Sequence, residues 1–194
     1  MTGTPLVQRA RGRPRDSGKD QAIREAAWRI LAERGFDGLT FESVAEMANC
    51  SRATLYRRYA SKVELVSSVL YETSRSIEPT VPAEALPRDI LIAHATAAAL
   101  YMSDYRGQAL LNLTTASFRL PELAAATENY GKNEREYYLR ELRRLRPDAS
   151  EATLAFACDT LIGGILYHAT FRHRSLAPDE IAGLVDSAMA LLAD

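Results

Sequence analysis

Apolar residues recur at helical spacing along this chain, and no stretch alternates apolar with polar side chains as a half-buried strand would. A chain written in this way must bury its apolar stripes by packing helix on helix. An all-α fold of about nine helices is therefore expected. From Lys19 to Arg34, the residues Ile23, Ala26, Ala27, Ile30 and Leu31 mark one helix face, and Gly35 ends it. Three short elements follow. Thr40 caps a helix over Phe41–Ala48, Asn49-Cys50 forms a turn, and Ser51 caps a helix ending near Tyr59. Ser61-Lys62-Val63-Glu64 fits a capping box that opens a longer helix to about Ser76.

Three prolines between Glu78 and Pro87 mark a linker. Beyond it the spacing predicts helices over Arg88–Ser103, Arg106–Phe118, Pro121–Arg146, Ser150–Arg174 and Pro178–Ala193. The domain reading is thus a basic arm over 1–18, a three-helix head over 19–66 and a helical body over 77–194. The last helix of the head continues to about residue 76 and links the two.

The formal net charge of −1 hides an asymmetry. Residues 1–62 hold 12 Lys+Arg against 7 Asp+Glu, and residues 63–194 hold 12 against 18. A basic first third on an acidic remainder points to a polyanionic partner for the first third. Two short capped helices joined by a tight turn make a helix-turn-helix, although that shape alone also occurs as a structural corner. In the second helix Leu55 and Tyr59 can face inward, leaving Ser51, Arg52, Thr54, Arg57 and Arg58 outward. Arginine forks suit guanine in a major groove, and hydroxyls or a lysine at a helix start suit phosphate.

The run Gly38-Leu39-Thr40-Phe41-Glu42-Ser43-Val44-Ala45-Glu46-Met47-Ala48, then Ser51-Arg52-Ala53-Thr54-Leu55-Tyr56-Arg57-Arg58-Tyr59 and Ser61-Lys62-Val63-Glu64-Leu65, resembles the DNA-binding domain of the TetR family of bacterial regulators. The resemblance covers about residues 19–66. A weaker one, through Leu161-Ile162-Gly163-Gly164-Ile165-Leu166 and Pro178-Asp179-Glu180, covers the last two helices. It implies phosphate contacts by Thr40, Tyr56 and Lys62. It implies a groove-facing set of Ser51, Arg52, Ala53 and Arg57, with Arg58 at a base or at the backbone. It also implies a ligand-binding and dimerising body, and repression as the default. Asn49-Cys50 stands where the family usually has Gly-Val. Asn tolerates the left-handed conformation, so the turn should survive.

Arg11-Gly12-Arg13-Pro14-Arg15 resembles the core of an AT-hook, so Arg11 and Arg13 are candidates for an adjacent minor groove; the alternative is a solvated tail. Cys50 is either a redox sensor or a small buried apolar residue, and Cys158 sits on an almost wholly apolar helix. His168 and His173 have poor spacing for a shared metal, and no phosphate loop or nucleophile elbow is present. Neither an enzyme nor a cofactor or metal is therefore expected.

Ala152–Phe171 reads as a buried helix, not a membrane span, and the N-terminus has no apolar signal region; a bacterial cytoplasmic protein is the expectation. The last two helices are apolar on more than one face and so need a second partner besides the protein's own core. Leu161, Gly163, Gly164, Tyr167, Phe171, Leu184 and Met189 are the candidates for a homodimer interface, with burial inside a monomer as the alternative. Tyr71, Tyr101, Met102 and Tyr105 could line a pocket with Asn112, Phe118, Tyr130 and Tyr167, or be ordinary core and surface residues. Such a pocket would suit an apolar or aromatic effector. The expected function is a homodimeric regulator that binds a palindromic double-stranded DNA operator and is released by a small molecule. The alternative is a sequence-tolerant architectural DNA-binding protein with no effector.

Overall fold

A computed structural model describes residues 17–76 and 78–193 of the 194-residue chain, and these contain helices without strands. In chain order they are α1 (Ser17–Gly38), α2 (Phe41–Met47), α3 (Arg52–Tyr56), α4 (Lys62–Ser76), α5 (Pro87–Met102), α6 (Tyr105–Ser117), α7 (Pro121–Leu145), α8 (Glu151–Thr170) and α9 (Pro178–Ala190). The fold is all-α, as the periodicity predicts. The arm residues Arg11 and Arg13 lie outside the described residues.

Local chemistry sets the breaks between helices. Gly35 takes φ 64° and kinks α1 three residues before its end, a conformation that a Cβ would strain. Asn49 takes φ 48° and turns the chain between α2 and α3, so the left-handed turn is retained without glycine. Thr40 Oγ1 accepts from Ser43 N at 3.0 Å, while Thr40 N donates to Ser43 Oγ at 3.1 Å. Ser51 Oγ accepts from Thr54 N at 3.2 Å. Ser61 Oγ accepts from Glu64 N at 3.1 Å, and the Glu64 carboxylate reaches back to Ala60 N at 2.6 Å. The reciprocal bond thus falls one residue earlier than the capping-box reading.

Several boundaries differ from the sequence expectation, among them those of α3, α6, α8 and α9. α3 is only one turn long. α6 begins at Tyr105 because Asp104 caps it through Arg106 N at 2.8 Å. α8 stops at Thr170, four residues early, and His173 then adopts φ 50°. α9 likewise gives way to a turn after Ala190.

The buried residues form two clusters. One joins the head to α4, α6 and the first half of α7, through Ile23, Trp28, Ile30, Leu31, Leu55, Leu70, Leu113 and Tyr130. The other joins α5, the second half of α7, α8 and α9. The head's core therefore runs continuously into the body. Polar bonds add to this seam. Asn112 on α6 donates to the Leu31 and Ala32 carbonyls at 2.9 and 3.1 Å, satisfying α1 just before its kink. Glu25 accepts from Tyr105 at 2.5 Å and pairs with Arg106 at 3.0 Å.

Candidate nucleic-acid interface and body cavity

The helix-turn-helix presents one short face. Leu55 is fully buried among the head's apolar residues and anchors α3 from below. Ser51, Arg52, Ala53, Tyr56 and Arg57 are all exposed on the other side, and Thr54 is half-buried. Tyr56 is 68% exposed and rests edge-on against Phe41 at 4.9 Å, which fixes its ring while leaving the hydroxyl outward. Thr40 is exposed at the start of α2, where the positive end of the helix dipole favours an anion.

The charged side chains fall into two kinds. Arg52 meets Glu42 at 3.3 Å, with both side chains largely in solvent, so the pair is easily exchanged for a stronger partner. Arg58 is different, being ion-paired with Asp20 of α1 and mostly covered. That pairing fastens the end of the recognition segment to the first helix. Lys62 lies between: its ammonium donates to the Phe36 carbonyl at 3.1 Å and stands 4.1 Å from the Phe36 ring centre. It caps the kinked end of α1 and remains part-exposed.

In the body, a cavity of about 240 Å³ opens between α5, α6, α7 and α8. Tyr101, Met102 and Tyr130, three of the eight residues proposed from sequence, line it. Tyr105 and Asn112 are bonded to α1 as described above. Phe118 is 86% exposed at the end of α6, Tyr167 lies on the outer face of α8, and Tyr71 borders two other hollows beside α7. Sequence reasoning missed Glu134, Tyr138, Arg135 and Asp159, which also line the cavity. The signal for Glu134 was present: it lies four residues after Tyr130 and four before Tyr138, on the same stripe of α7.

Burial pushes the Glu134 carboxyl up to about 7, opposed by a hydrogen bond from the Ser74 side chain of α4. Its Oε1 is buried and has no hydrogen-bond partner among the described residues. Arg135 is ion-paired with Asp159 across the α7–α8 contact. Burial raises the Tyr101 and Tyr138 hydroxyls above their ordinary range. Tyr101 donates to Thr73 of α4 at 3.2 Å, and Trp28 of α1 donates to the same oxygen at 3.2 Å.

Burial raises both thiols, Cys158 to about 11. Neither carries the lowered value of a reactive thiolate.

On α8, Leu154, Cys158, Leu161 and Ile165 are buried against the protein's own helices, while Phe156, Tyr167 and Phe171 are 63%, 51% and 74% exposed. α8 is long and apolar enough to cross a membrane, yet its inner face is core; the alternative of burial inside a monomer does not hold for Phe156, Tyr167 and Phe171. Gly164 is used internally, since an added Cβ would lie 2.7 Å from Leu184 Cδ1, whereas Gly163 faces open space. Leu184 and Met189 are half-buried against the second core cluster.

The fold and head define an all-helical protein with an N-terminal helix-turn-helix. The sequence profile of "Bacterial regulatory proteins, tetR family" matches residues 23–69. The HTH-type transcriptional regulator YdeS of Bacillus subtilis strain 168, itself uncharacterized, is 34% identical over 110 residues, 57% of this chain and 55% of that protein. The chain thus spans about half the length of this curated relative. Two solved structures share the fold: GusR of Salmonella enterica (TM-score 0.69, 15% identity, 91% of this chain and 96% of that one) and FadR of Bacillus subtilis in complex with stearoyl-CoA (TM-score 0.65, 18% identity, 89% and 96%). The head of this chain, residues 23–69, is thus similar to the DNA-binding domain of the TetR family, and the body shares the all-helical fold of the solved structures.

Proposed function

We propose that this chain is a transcription regulator that binds a palindromic operator as a homodimer in the bacterial cytoplasm and is released by a small molecule. The observation that carries the reading is the division of α3, with Leu55 fully buried and Arg52, Ala53, Tyr56 and Arg57 all outward. One turn of helix reads only a few base pairs. Specific binding therefore needs two heads, spaced about 34–36 Å on the duplex.

The exposed stripe of Phe156, Gly163, Tyr167 and Phe171 supports the second subunit, since a helix apolar on two faces needs two partners. Gly183 on α9 is equally open, so α8 and α9 could both approach a symmetry mate closely in a four-helix interface. The cavity supports an apolar or aromatic effector, and its contacts to α4 supply a route to the head. The ligand must bind the released state better than the DNA-bound one for the equilibrium to move. Release from repression follows the family resemblance, and the FadR complex is a fold neighbour with a bound ligand.

Selection of bound sequences from a random duplex pool tests this directly. A palindrome with two half-sites about one turn apart is the expected outcome. Enrichment of A·T-rich DNA without half-sites would favour the architectural alternative, and no retention of duplex at low salt would end the reading.

A further inference from the structure

Among the described residues, the cavity has one carboxyl that no opposite charge matches. Tyr101, Tyr130 and Tyr138 supply aromatic walls, Met102, Ile162 and Ile165 supply aliphatic ones, and Arg135 is already neutralised by Asp159. Among the described residues that line the cavity, Glu134 alone has a buried oxygen without a partner. We propose that the effector is an organic cation with an apolar or aromatic body, its positive charge met by Glu134 and its body packed among Tyr101, Tyr130 and Tyr138. The proposal rests on the effector reading above and narrows its chemistry.

The physical argument is one of compensation. An ionised carboxylate shut away from water without a counter-charge is costly, so burial holds the Glu134 carboxyl up at about 7. A ligand cation removes that cost by pairing with the carboxylate, and tyrosine faces add attraction to the same charge. A neutral ligand of the same shape would gain the packing and none of the pairing. Among the described residues an anion would meet no free cation in this cavity, because the Arg135 guanidinium is held by Asp159. The groups facing Glu134 are Ser74 from α4, Tyr101 from α5, Asp159 from α8, and Tyr130, Arg135, Tyr137 and Tyr138 from α7 itself. None of them is a titrating cation in the neutral range, so the pH response of binding belongs to Glu134.

Benzyltrimethylammonium and its uncharged isostere neopentylbenzene are a suitable probe pair, since both carry one ring and a head of equal shape. Binding to the full chain is read from the fluorescence of Trp28, the single tryptophan, whose ring lies edge-on to Tyr101 at 6.2 Å. The cation should bind at least tenfold more tightly than the isostere at pH 8, and its affinity should fall as pH drops through about 7. Glu134→Gln should abolish both the preference and the pH response. Should that variant fail to fold, the wild-type pH profile and the isostere pair decide alone. If the isostere binds as tightly as the cation at every pH, the cationic assignment is overturned while the cavity stands as an effector site. If neither probe binds, the proposal fails together with this cavity's role as effector site.

Discussion

Tyr101 donates its hydroxyl hydrogen to Thr73 Oγ1 at 3.2 Å, joining the cavity wall on α5 to the helix that enters the head. The same oxygen accepts from Trp28 Nε1 on α1 at 3.2 Å. One hydroxyl on α4 therefore senses both the cavity and the first helix of the head. The Ser74 bond to Glu134 lies next to it in sequence. A ligand that shifts Tyr101 or Glu134 must shift α4 or break these bonds. Thr73→Val keeps the shape and removes the shared acceptor, leaving two covered donors unsatisfied. It should cost about 1–3 kcal/mol of stability in urea unfolding. It should also weaken the coupling between effector and operator, measured as the ratio of operator affinities with and without ligand. An unchanged ratio would mean that the signal travels elsewhere.

Arg52 should read bases. Among the described residues its guanidinium is held only by the exposed contact to Glu42, so it can leave that partner for a guanine edge. Arg52→Ala should cost about 1–3 kcal/mol on the preferred operator and relax selectivity at one base position. Glu42→Gln, which frees Arg52, should strengthen binding slightly to all duplexes. If Arg52→Ala leaves selectivity intact, another residue reads that position.

Lys62 should show a double effect. Its ammonium caps the Phe36 carbonyl while lying at the start of α4, where a phosphate would approach. Lys62→Ala should weaken binding to all sequences alike and lower the salt slope by about 1. It should also lower the melting temperature of the free protein, because the end of α1 loses a donor. A change in melting with no change in salt slope would make Lys62 a purely structural cap.

The head was legible because its signals are local. The hydroxyl caps at Thr40, Ser51 and Ser61 and the left-handed positions Gly35 and Asn49 lie within a few residues of what they determine. The cavity was not, because its members come from four helices. Glu134 sits among Glu128, Lys132, Arg135 and Glu136, a run that reads as a solvated face. Its spacing to Tyr130 and Tyr138 is legible, but only the fold reveals that Tyr101 and Ser74, from other helices, help to enclose it. Arg58 was ambiguous for the same reason: its partner Asp20 is 38 positions away and becomes a neighbour only when α1 packs on the head. Tyr105 and Asn112 have the composition of pocket anchors, yet both spend their polar groups on α1.

Glu134 should also write itself into the pH dependence of stability. Its folded value of about 7 lies above the ordinary 4.5 that the unfolded chain retains. Between those values the folded protein binds the proton that the unfolded chain has lost, so stability falls as pH rises. The contribution is complete below about 4.5, and the loss levels off above about 7. Glu134→Gln, which cannot ionise, should remove this slope and gain roughly 1–3 kcal/mol at pH 8 relative to the parent. Urea unfolding at pH 5, 6.5 and 8 measures it. A parallel pH profile in the two proteins would show that the carboxyl titrates normally.

The outer face of α8 should hold the second subunit. Tyr167 and Phe171 stack on each other with ring centres 5.6 Å apart, and both project from a face that the protomer leaves uncovered. Placing carboxylates there, as Tyr167→Glu with Phe171→Glu, sets four charges against one another across a two-fold interface, because each patch meets its own copy. The inner face, from Leu154 to Ile165, is untouched, so the helical circular dichroism should persist. Sedimentation should then report a monomer, and operator affinity should fall far more than the loss of any one base contact, since each head would bind alone. A double variant that still sediments as a dimer and retains its operator affinity would place the subunit contact on another surface.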